Sequence, residues 1–154
     1  MSTTNDNNTA TLLHLSTLSQ YFIPFGNFIL PIIIWSSKKD KSEYIDKQGK
    51  ECINFQLSLF TYTLLLALIV LPIFFIVIMK QITISDYNRF DEDGEFLLRN
   101  ISMNNNGVLI AIAVVALLLF VFLKVAEFFL IIFAALKTSS GENFKYPITI
   151  RFLK

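Results

Sequence analysis

Charge is scarce in this chain, and its absence is concentrated in three places. Of the 154 residues, 16% are charged, against about 25% in an average protein. Residues 11–37 and 52–79 contain no Asp, Glu, Lys or Arg, and residues 107–136 contain only Lys124 and Glu127. A weakly charged apolar run of about 18 residues or more can cross a hydrocarbon core of roughly 30 Å as a helix. The sequence therefore predicts an integral membrane protein.

Cysteine and histidine are almost absent. Cys52 is the only cysteine and His14 the only histidine, so no intramolecular disulfide can form and no His/Cys metal cluster of the usual spacing can be built. The motifs G-x-S-x-G and H-E-x-x-H and the Walker phosphate loop are also missing. We therefore expect no enzyme activity, no catalytic residues, no cofactor and no metal site. A net charge of +1 gives no reason to expect nucleic-acid binding.

Positive charge is missing from the N-terminus. Residues 1–10, MSTTNDNNTA, contain no Lys or Arg, whereas a secretory signal peptide begins with a positive region and ends at a cleavage site. The first apolar run is therefore expected to remain in the mature protein. We expect residues 1–10 to be disordered and residues 11–154 to form a single membrane domain.

Two of the apolar runs have the length of complete membrane spans. As a helix, residues 52–79 would extend about 42 Å, and residues 107–136 are similar. Pro72 is expected to kink the first of these spans near its end. The predicted fold class is an all-α integral membrane protein. It is a small bundle of two full membrane spans plus a Pro/Gly-broken N-terminal helical segment, with three to four helices in all.

Proline and glycine interrupt the remaining run, residues 11–37. Pro24, Gly26 and Pro31 break it, and residues 11–23 alone would form a helix of only about 20 Å, too short for the hydrocarbon core. Two interpretations are open. One kinked span would put the N-terminus outside, and a helical hairpin that turns at residues 24–27 would put it inside. The alternation of leucine with polar residues before the break is amphipathic and favours the hairpin.

Lysine indicates which side of the membrane the connections occupy. Residues 36–51 contain five lysines, and residues 137–154 carry Lys137, Lys145, Arg151 and Lys154. Because positive residues favour the cytoplasmic side, we expect the loop 38–51 and the C-terminal tail to be cytoplasmic. The acidic connection, residues 80–106, is expected outside. The predicted location is the cell inner (cytoplasmic) membrane, with several passes.

A few polar residues in the apolar runs are candidates for function. Lys124 and Glu127 lie three residues apart on one helix face, and a charge at the bilayer centre costs about 2.5–3.5 kcal/mol. They predict either a relay or partner contact, or a local ion pair that faces the bundle interior. His14 is either a proton carrier or, as we favour, an interfacial histidine near a helix start. Asn54 is a candidate for a hydrogen bond between helices, and Asn27 belongs to the break.

Three phrases together resemble a known family. They are HLSTLSQYFIPFGNFILPIIIW at residues 14–35, DKQGKECINFQLS at residues 46–58 and LKTSSGENFKYPITIRF at residues 136–152. In combination they resemble the small bacterial membrane proteins called domain of unknown function forty-eight seventy. Those proteins are grouped with the Tic-twenty-like chloroplast import components. The resemblance covers roughly residues 11–152, and residues 81–106 match least.

This resemblance implies a compact bundle of three or four membrane helices without known enzymatic activity. For the chloroplast relatives it implies a part in a protein-conducting complex of the inner envelope. It also makes three local features more credible: a deliberate break, the entry to the next span and an ordered cytoplasmic tail. The residues concerned are Pro24, Gly26, Asn27 and Pro31 for the break, Gly49, Lys50, Asn54 and Gln56 for the entry, and Gly141, Tyr146 and Pro147 for the tail.

Two functions follow from these observations. The first is a non-enzymatic subunit or accessory of an inner-membrane complex, with a link to protein translocation implied by the resemblance. The alternative is an oligomeric small transporter or channel that uses Lys124 and Glu127, since interrupted helices often build sites near the bilayer midplane. The expected partners are the lipid bilayer and either another membrane protein or further copies of this chain.

Overall fold

The computed structural model describes residues 3–81 and 103–153, with side chains for residues 3–76 and 107–153. Over these residues all regular elements are helices, and there is no strand. Short 3-10 helices at Thr17–Tyr21 and Lys39–Lys41 follow the first and second α-helices. The four α-helices are α1 (Thr4–Ser16), α2 (Gly26–Lys38), α3 (Glu43–Gln81) and α4 (Met103–Ser139).

The prediction of two long apolar helices is confirmed. Glu43–Ile76 within α3 and Gly107–Ser139 within α4 have the length and composition needed to cross a membrane. Both helices are longer than the runs that predicted them. Helix α3 begins before residue 52 because the polar residues 43–51 continue the same helix, with Glu43 and Asp46 in its first turn. Acidic residues there are stabilised by the positive end of the helix dipole.

The described residues fall into two compact units. The first unit comprises Met1–Tyr62 and Leu123–Lys154, and the second comprises Thr63–Phe122. In the second unit most apolar side chains are exposed and the rest are half-buried, and Ala116 is the only buried residue among residues 63–76 and 107–122. The first unit contains the hydrophobic core, which is formed by Phe55, Ile131, Ala134, Phe144 and Tyr146.

The N-terminus differs from the expectation of disorder. Helix α1 begins at Thr4 because a capping box closes its first turn. The side chain of Thr3 accepts from the backbone N–H of Asp6, and the Asp6 carboxylate accepts from the N–H of Thr3. This arrangement satisfies two backbone donors that a helix start leaves free. Ala10 and Leu13 of the same helix are fully buried, so packing also holds α1 in place.

The broken first segment forms a helical hairpin. Helix α1 and the 3-10 helix after it pack against α2, as the hairpin interpretation predicts and a single kinked span does not. The turn lies at residues 22–25, slightly earlier than predicted, and Phe25 adopts a left-handed backbone conformation with φ of 60°. Gly26 follows, and a Cβ atom there would lie 2.9 Å from the Ser19 carbonyl oxygen. A side chain at residue 26 would therefore push the two arms of the hairpin apart.

Two prolines do not break the helices in which they lie. Pro31 was expected to contribute to the break, but it lies inside α2, which continues to Lys38. Pro72 lies inside α3, which continues to Gln81. A proline removes one backbone hydrogen bond, and the bonds on either side together with packing against neighbouring helices can preserve the helix.

The C-terminal tail is irregular and folds back on the helices. Helix α4 ends where Gly141 has a φ of 78°, in the left-handed region that glycine enters without strain. The alternation of Ile148, Ile150 and Phe152 is typical of a strand or a membrane-resting edge. The structure has no strand there, because the backbone of the tail bonds to side chains of α3 rather than to another strand. Residues 82–102 of the acidic connection lie outside the described residues.

Candidate functional site

A buried histidine joins three parts of the first unit. His14 of α1 is fully buried, rather than interfacial as we favoured. Its Nδ1 atom lies 3.0 Å from the Tyr146 hydroxyl of the tail, and its Nε2 atom lies 3.3 Å from Oε1 of Gln48 in α3. Because a glutamine Oε1 can only accept, Nε2 carries the proton and Nδ1 accepts from the hydroxyl of Tyr146. Burial lowers the pKa of His14 from 6.5 to about 4, so the ring is neutral at neutral pH.

Aromatic packing holds the tail beside this histidine. Tyr146 stacks on Phe55 of α3 with ring centres 3.9 Å apart, and Phe144 packs edge-on against Tyr146 at 4.9 Å. Burial raises the pKa of Tyr146 well above its usual value, so its hydroxyl keeps the proton that it donates to His14. Stacked and edge-on aromatic pairs add roughly 0.5–1.5 kcal/mol each beyond burial. The tail is therefore an integral part of the core.

A row of polar side chains on α3 binds the backbone of the tail. Asn54, Ser58 and Tyr62 lie four residues apart on one helix face, and we call them the tail-binding row. The Tyr62 hydroxyl donates to the Ile148 carbonyl at 3.0 Å, and the Ser58 hydroxyl accepts from the Ile150 N–H at 2.8 Å.

Asn54, the first residue of the tail-binding row, binds the end of the tail. Its Oδ1 atom accepts from the N–H groups of Phe152 and Leu153 at 3.1 and 2.8 Å, and its Nδ2 donates to the Leu153 carbonyl at 2.9 Å. Asn54 therefore makes an interior contact, but its partner is the tail and not another helix.

The two charged residues of α4 form an ion pair. Lys124 Nζ lies 2.9 Å from Glu127 Oε2, and Gln20 of the hairpin donates to Glu127 Oε1 at 2.9 Å. The Glu127 side chain is only 1% exposed, whereas that of Lys124 is 37% exposed. Both carboxylate oxygens thus have a partner within the chain. This geometry is that of the local ion pair described above, and whether the pair also has a functional role stays a prediction.

Asn27, the remaining candidate, attaches the hairpin to α3. Its Nδ2 atom donates to Gln56 Oε1 at 2.9 Å. Pro24 lies in the turn and Gly26 begins α2. The structure thus places Asn27 next to α3, Asn54 next to the tail, and Glu127 next to the hairpin.

Sequence reasoning missed several partners that complete these contacts. Gln20 and Gln48 are single polar residues whose partners lie far away in sequence, so no local pattern indicates them. Ser58 and Tyr62 follow Asn54 at intervals of four residues, and this spacing could have revealed the tail-binding row. Among the described residues, no group of three or more His, Cys, Asp or Glu side chains is placed to hold a metal ion.

Comparison with known sequence families decides the family. A family described as magnetosome magnetite crystal formation proteins, MamF/MmsF, matches residues 5–153. The chain belongs to this family. The match begins in α1 and ends at Leu153, so it includes the hairpin, both long helices and the tail. No curated protein and no solved structure matches the chain significantly.

Membership of the MamF/MmsF family corrects the earlier resemblance. The family that covers the chain is the magnetosome family, and the likeness to domain of unknown function forty-eight seventy and to Tic-twenty-like import components was wrong. The three phrases describe how a helical hairpin, a helix entry and a tail are built, and such packing features do not by themselves identify a function. The link to protein translocation rested on that likeness and falls with it.

Proposed function

We propose that this chain is a non-enzymatic small integral membrane protein of the magnetosome membrane. It contributes to magnetite crystal formation as a subunit or accessory of a membrane complex. The observation that carries the proposal is the family match over residues 5–153. Helices α3 and α4 are the two membrane spans, and the partners are the bilayer and either another membrane protein or further copies of this chain.

The exposed apolar surface of the long helices supports membrane insertion. Exposing apolar surface to water costs about 25 cal/mol for each Å². Between residues 107 and 122 the helix presents Val115, Leu118 and Phe122 at 56%, 63% and 67% exposure. A monomeric soluble protein rarely leaves such a continuous surface uncovered. Acyl chains would cover it without needing any polar contact.

The buried polar side chains bond to other groups of the same chain, which supports a structural role for them. His14, Asn54 and Glu127 each bond within the chain. Their partners lie in other segments, except that Glu127 also pairs with Lys124 of its own helix. Such contacts fix the arrangement of the hairpin, α3, α4 and the tail. They give no support to the transport alternative, because the Glu127 carboxylate is already paired on both oxygens.

The lysines support an orientation. Lys38 ends α2, Lys39 and Lys41 lie between α2 and α3, and Lys137 lies in the last turn of α4. By the positive-inside rule these ends of the helices face the cytoplasm. The hairpin, which leaves the N-terminus at that same end, agrees with this orientation.

A complementation experiment tests the proposal. The tagged chain is expressed in a magnetite-forming bacterium from which the native members of this family have been deleted, and crystal dimensions are measured by electron microscopy. We expect the chain to be recovered with magnetically isolated magnetosomes and to restore crystal size. A tagged chain absent from the magnetosomes, or crystals no different from those of the deletion strain, would contradict the proposal.

Matched variants sharpen this experiment. Val115→Asp combined with Leu118→Asp places two charges in the apolar part of α4, each costing about 2.5–3.5 kcal/mol at the bilayer centre, and should abolish recovery. Ser139→Asp adds the same side chain at an exposed position at the end of α4 and should complement fully. Glu127→Gln keeps the ability to accept from Gln20 and should also complement. Its failure would favour a functional role for the charge.

A further inference from the structure

The N-terminal hairpin carries an exposed apolar tip. The turn residues Phe22, Ile23 and Phe25 are 88%, 52% and 66% exposed, and residues 11–37 contain no charged side chain. Along α2 the apolar exposure continues at Ile29 and Ile33, which lie four residues apart on one face. The tip is therefore the part of the hairpin least suited to water.

The opposite end of the hairpin has the residues of a membrane interface. Lys39 Nζ lies 5.2 Å from the centre of the Trp35 ring. On α4, Lys137 Nζ lies 5.7 Å from the centre of the Phe133 ring. Tryptophan is enriched at the level of the lipid headgroups, and lysine side chains reach towards them from helix ends. The hairpin thus has an interfacial end and an apolar end.

Contacts with the two long helices measure how far the tip lies from the interfacial end. Along α4, the Thr11 hydroxyl lies 3.4 Å from that of Thr138, and Gln20 bonds to Glu127. Glu127 and Thr138 are about 16 Å apart along the axis of α4, at 1.5 Å per residue.

Helix α3 gives nearly the same distance. Trp35 Nε1 donates to Asp46 at 3.0 Å, and Asn27 bonds to Gln56. Asp46 and Gln56 are about 15 Å apart along the axis of α3. Half of a hydrocarbon core of roughly 30 Å is also about 15 Å, so the hairpin is as long as one leaflet is deep. Helix α2 alone, with 13 residues, would extend about 20 Å and is too short to cross the core.

We propose that this hairpin is a re-entrant element that enters the cytoplasmic leaflet, turns at Phe22–Phe25 near the bilayer midplane and returns to the same surface. Its apolar surface contacts acyl chains, while Trp35 and Lys39 lie at the headgroups. The chain therefore crosses the membrane twice, with both termini on the cytoplasmic side. The inference goes beyond the magnetosome role and requires only that α3 and α4 enter a membrane.

Two observations favour acyl chains over a second copy of the chain as the occupant of this surface. Apolar exposure extends from the hairpin to α4 over the same depth, at Phe129, Phe133 and Leu136, and a continuous lipid environment covers all of these residues. Lys38 and Lys39 of the hairpin segment lie at the interfacial end, as expected if they meet anionic headgroups. Lys124, near the level of the tip, is paired with Glu127. Inside the leaflet, Gln20 near the tip would also keep the Glu127 carboxylate away from lipid.

Fluorescence quenching in lipid tests the depth of the tip. The environment-sensitive label NBD is attached to Phe22→Cys and, separately, to Ser37→Cys, in vesicles that contain anionic phosphatidylglycerol. Wild type supplies the blank, because its only cysteine is fully buried. We expect bromine near the acyl-chain ends to cause the larger loss of fluorescence at residue 22. Bromine near the headgroup should cause the larger loss at residue 37.

Three results would overturn the inference. The label at residue 22 could be quenched by aqueous iodide, which would place the tip in water. A membrane-impermeant thiol reagent could reach residue 22 from the side opposite to residue 37, which would make the segment a span. Finally, the label at residue 22 could be shielded from both bromolipid and iodide, which would mean that protein covers the tip. A label on Val115→Cys in α4 separates the two proposals: if it too is in water, membrane insertion itself fails.

Discussion

Replacing Asn54 with alanine should release the end of the C-terminal tail. Asn54 makes three hydrogen bonds to the backbone of Phe152 and Leu153. A hydrogen bond contributes about 0.5–1.5 kcal/mol net, so losing all three should cost roughly 1.5–4.5 kcal/mol of docking free energy. Since 1.4 kcal/mol corresponds to a factor of ten, the undocked population should rise about tenfold to about a thousandfold.

Hydrogen–deuterium exchange of the C-terminal peptide, in detergent or lipid discs, measures this population. The exchange rate of the Phe152 and Leu153 amides should rise by the same factor, while amides in the middle of α3 keep their protection. Thr61→Ala is the matched control, because the Thr61 hydroxyl bonds only to the Leu57 carbonyl of its own helix. Equal tail protection in Asn54→Ala, Thr61→Ala and wild type would refute the reasoning.

Three further predictions concern the buried contacts. Lys124→Met leaves the Glu127 carboxylate buried without its counter-charge and should cost about 3–5 kcal/mol of unfolding free energy, measured by denaturant titration in micelles. Wild type should lose roughly 3 kcal/mol as the pH falls from 6.5 through about 4, because unfolded His14 takes up a proton that the folded protein excludes. In His14→Gln that part of the pH dependence should vanish. Gly49→Ala places a Cβ atom against the Trp35 ring, 2.6 Å from Cγ, and should cost about 1–3 kcal/mol, seen as a lower melting temperature.

Each of these predictions has a control within the chain. Lys50→Met breaks the half-exposed pair with Asp46 and should cost at most about 1 kcal/mol; an equal loss in both lysine variants would show that burial of Glu127 does not matter. An unchanged pH slope in His14→Gln would show that another group titrates in that window. Gly107→Ala meets no atom within 4 Å and should not destabilise, so parallel losses in both glycine variants would rule out the Trp35 contact as the cause.

The hairpin and the ion pair show how far the sequence could lead. Pro24 and Gly26 located the break within a few residues, because these residue types restrict or permit particular backbone angles wherever they occur. Lys124 and Glu127 were recognisable as a pair because their spacing puts them on one helix face. Their third partner, Gln20, was not, because it reaches Glu127 only after the hairpin folds onto α4.

The structure of the C-terminal tail could not be predicted from the sequence. Its alternating apolar residues are typical of a strand, but its backbone is bound by the side chains of Asn54, Ser58 and Tyr62. A side-chain row of this kind produces no periodic signal in the segment that it binds. The N-terminus was misjudged for a similar reason, since its polar composition resembles that of a disordered segment, whereas the Thr3–Asp6 capping box and the burial of Ala10 make it helical.

The sequence by itself determined that this protein has two long apolar helices. Long runs without charge can be stable only where their apolar side chains avoid water, and this follows from composition and length alone. Only the tertiary structure decided where the isolated polar residues go. His14 and Asn54 acquire their partners from segments brought together by folding, and so does Glu127 for its contact with Gln20. Burial of apolar surface is a property of each segment, whereas a buried hydrogen bond requires two groups to meet.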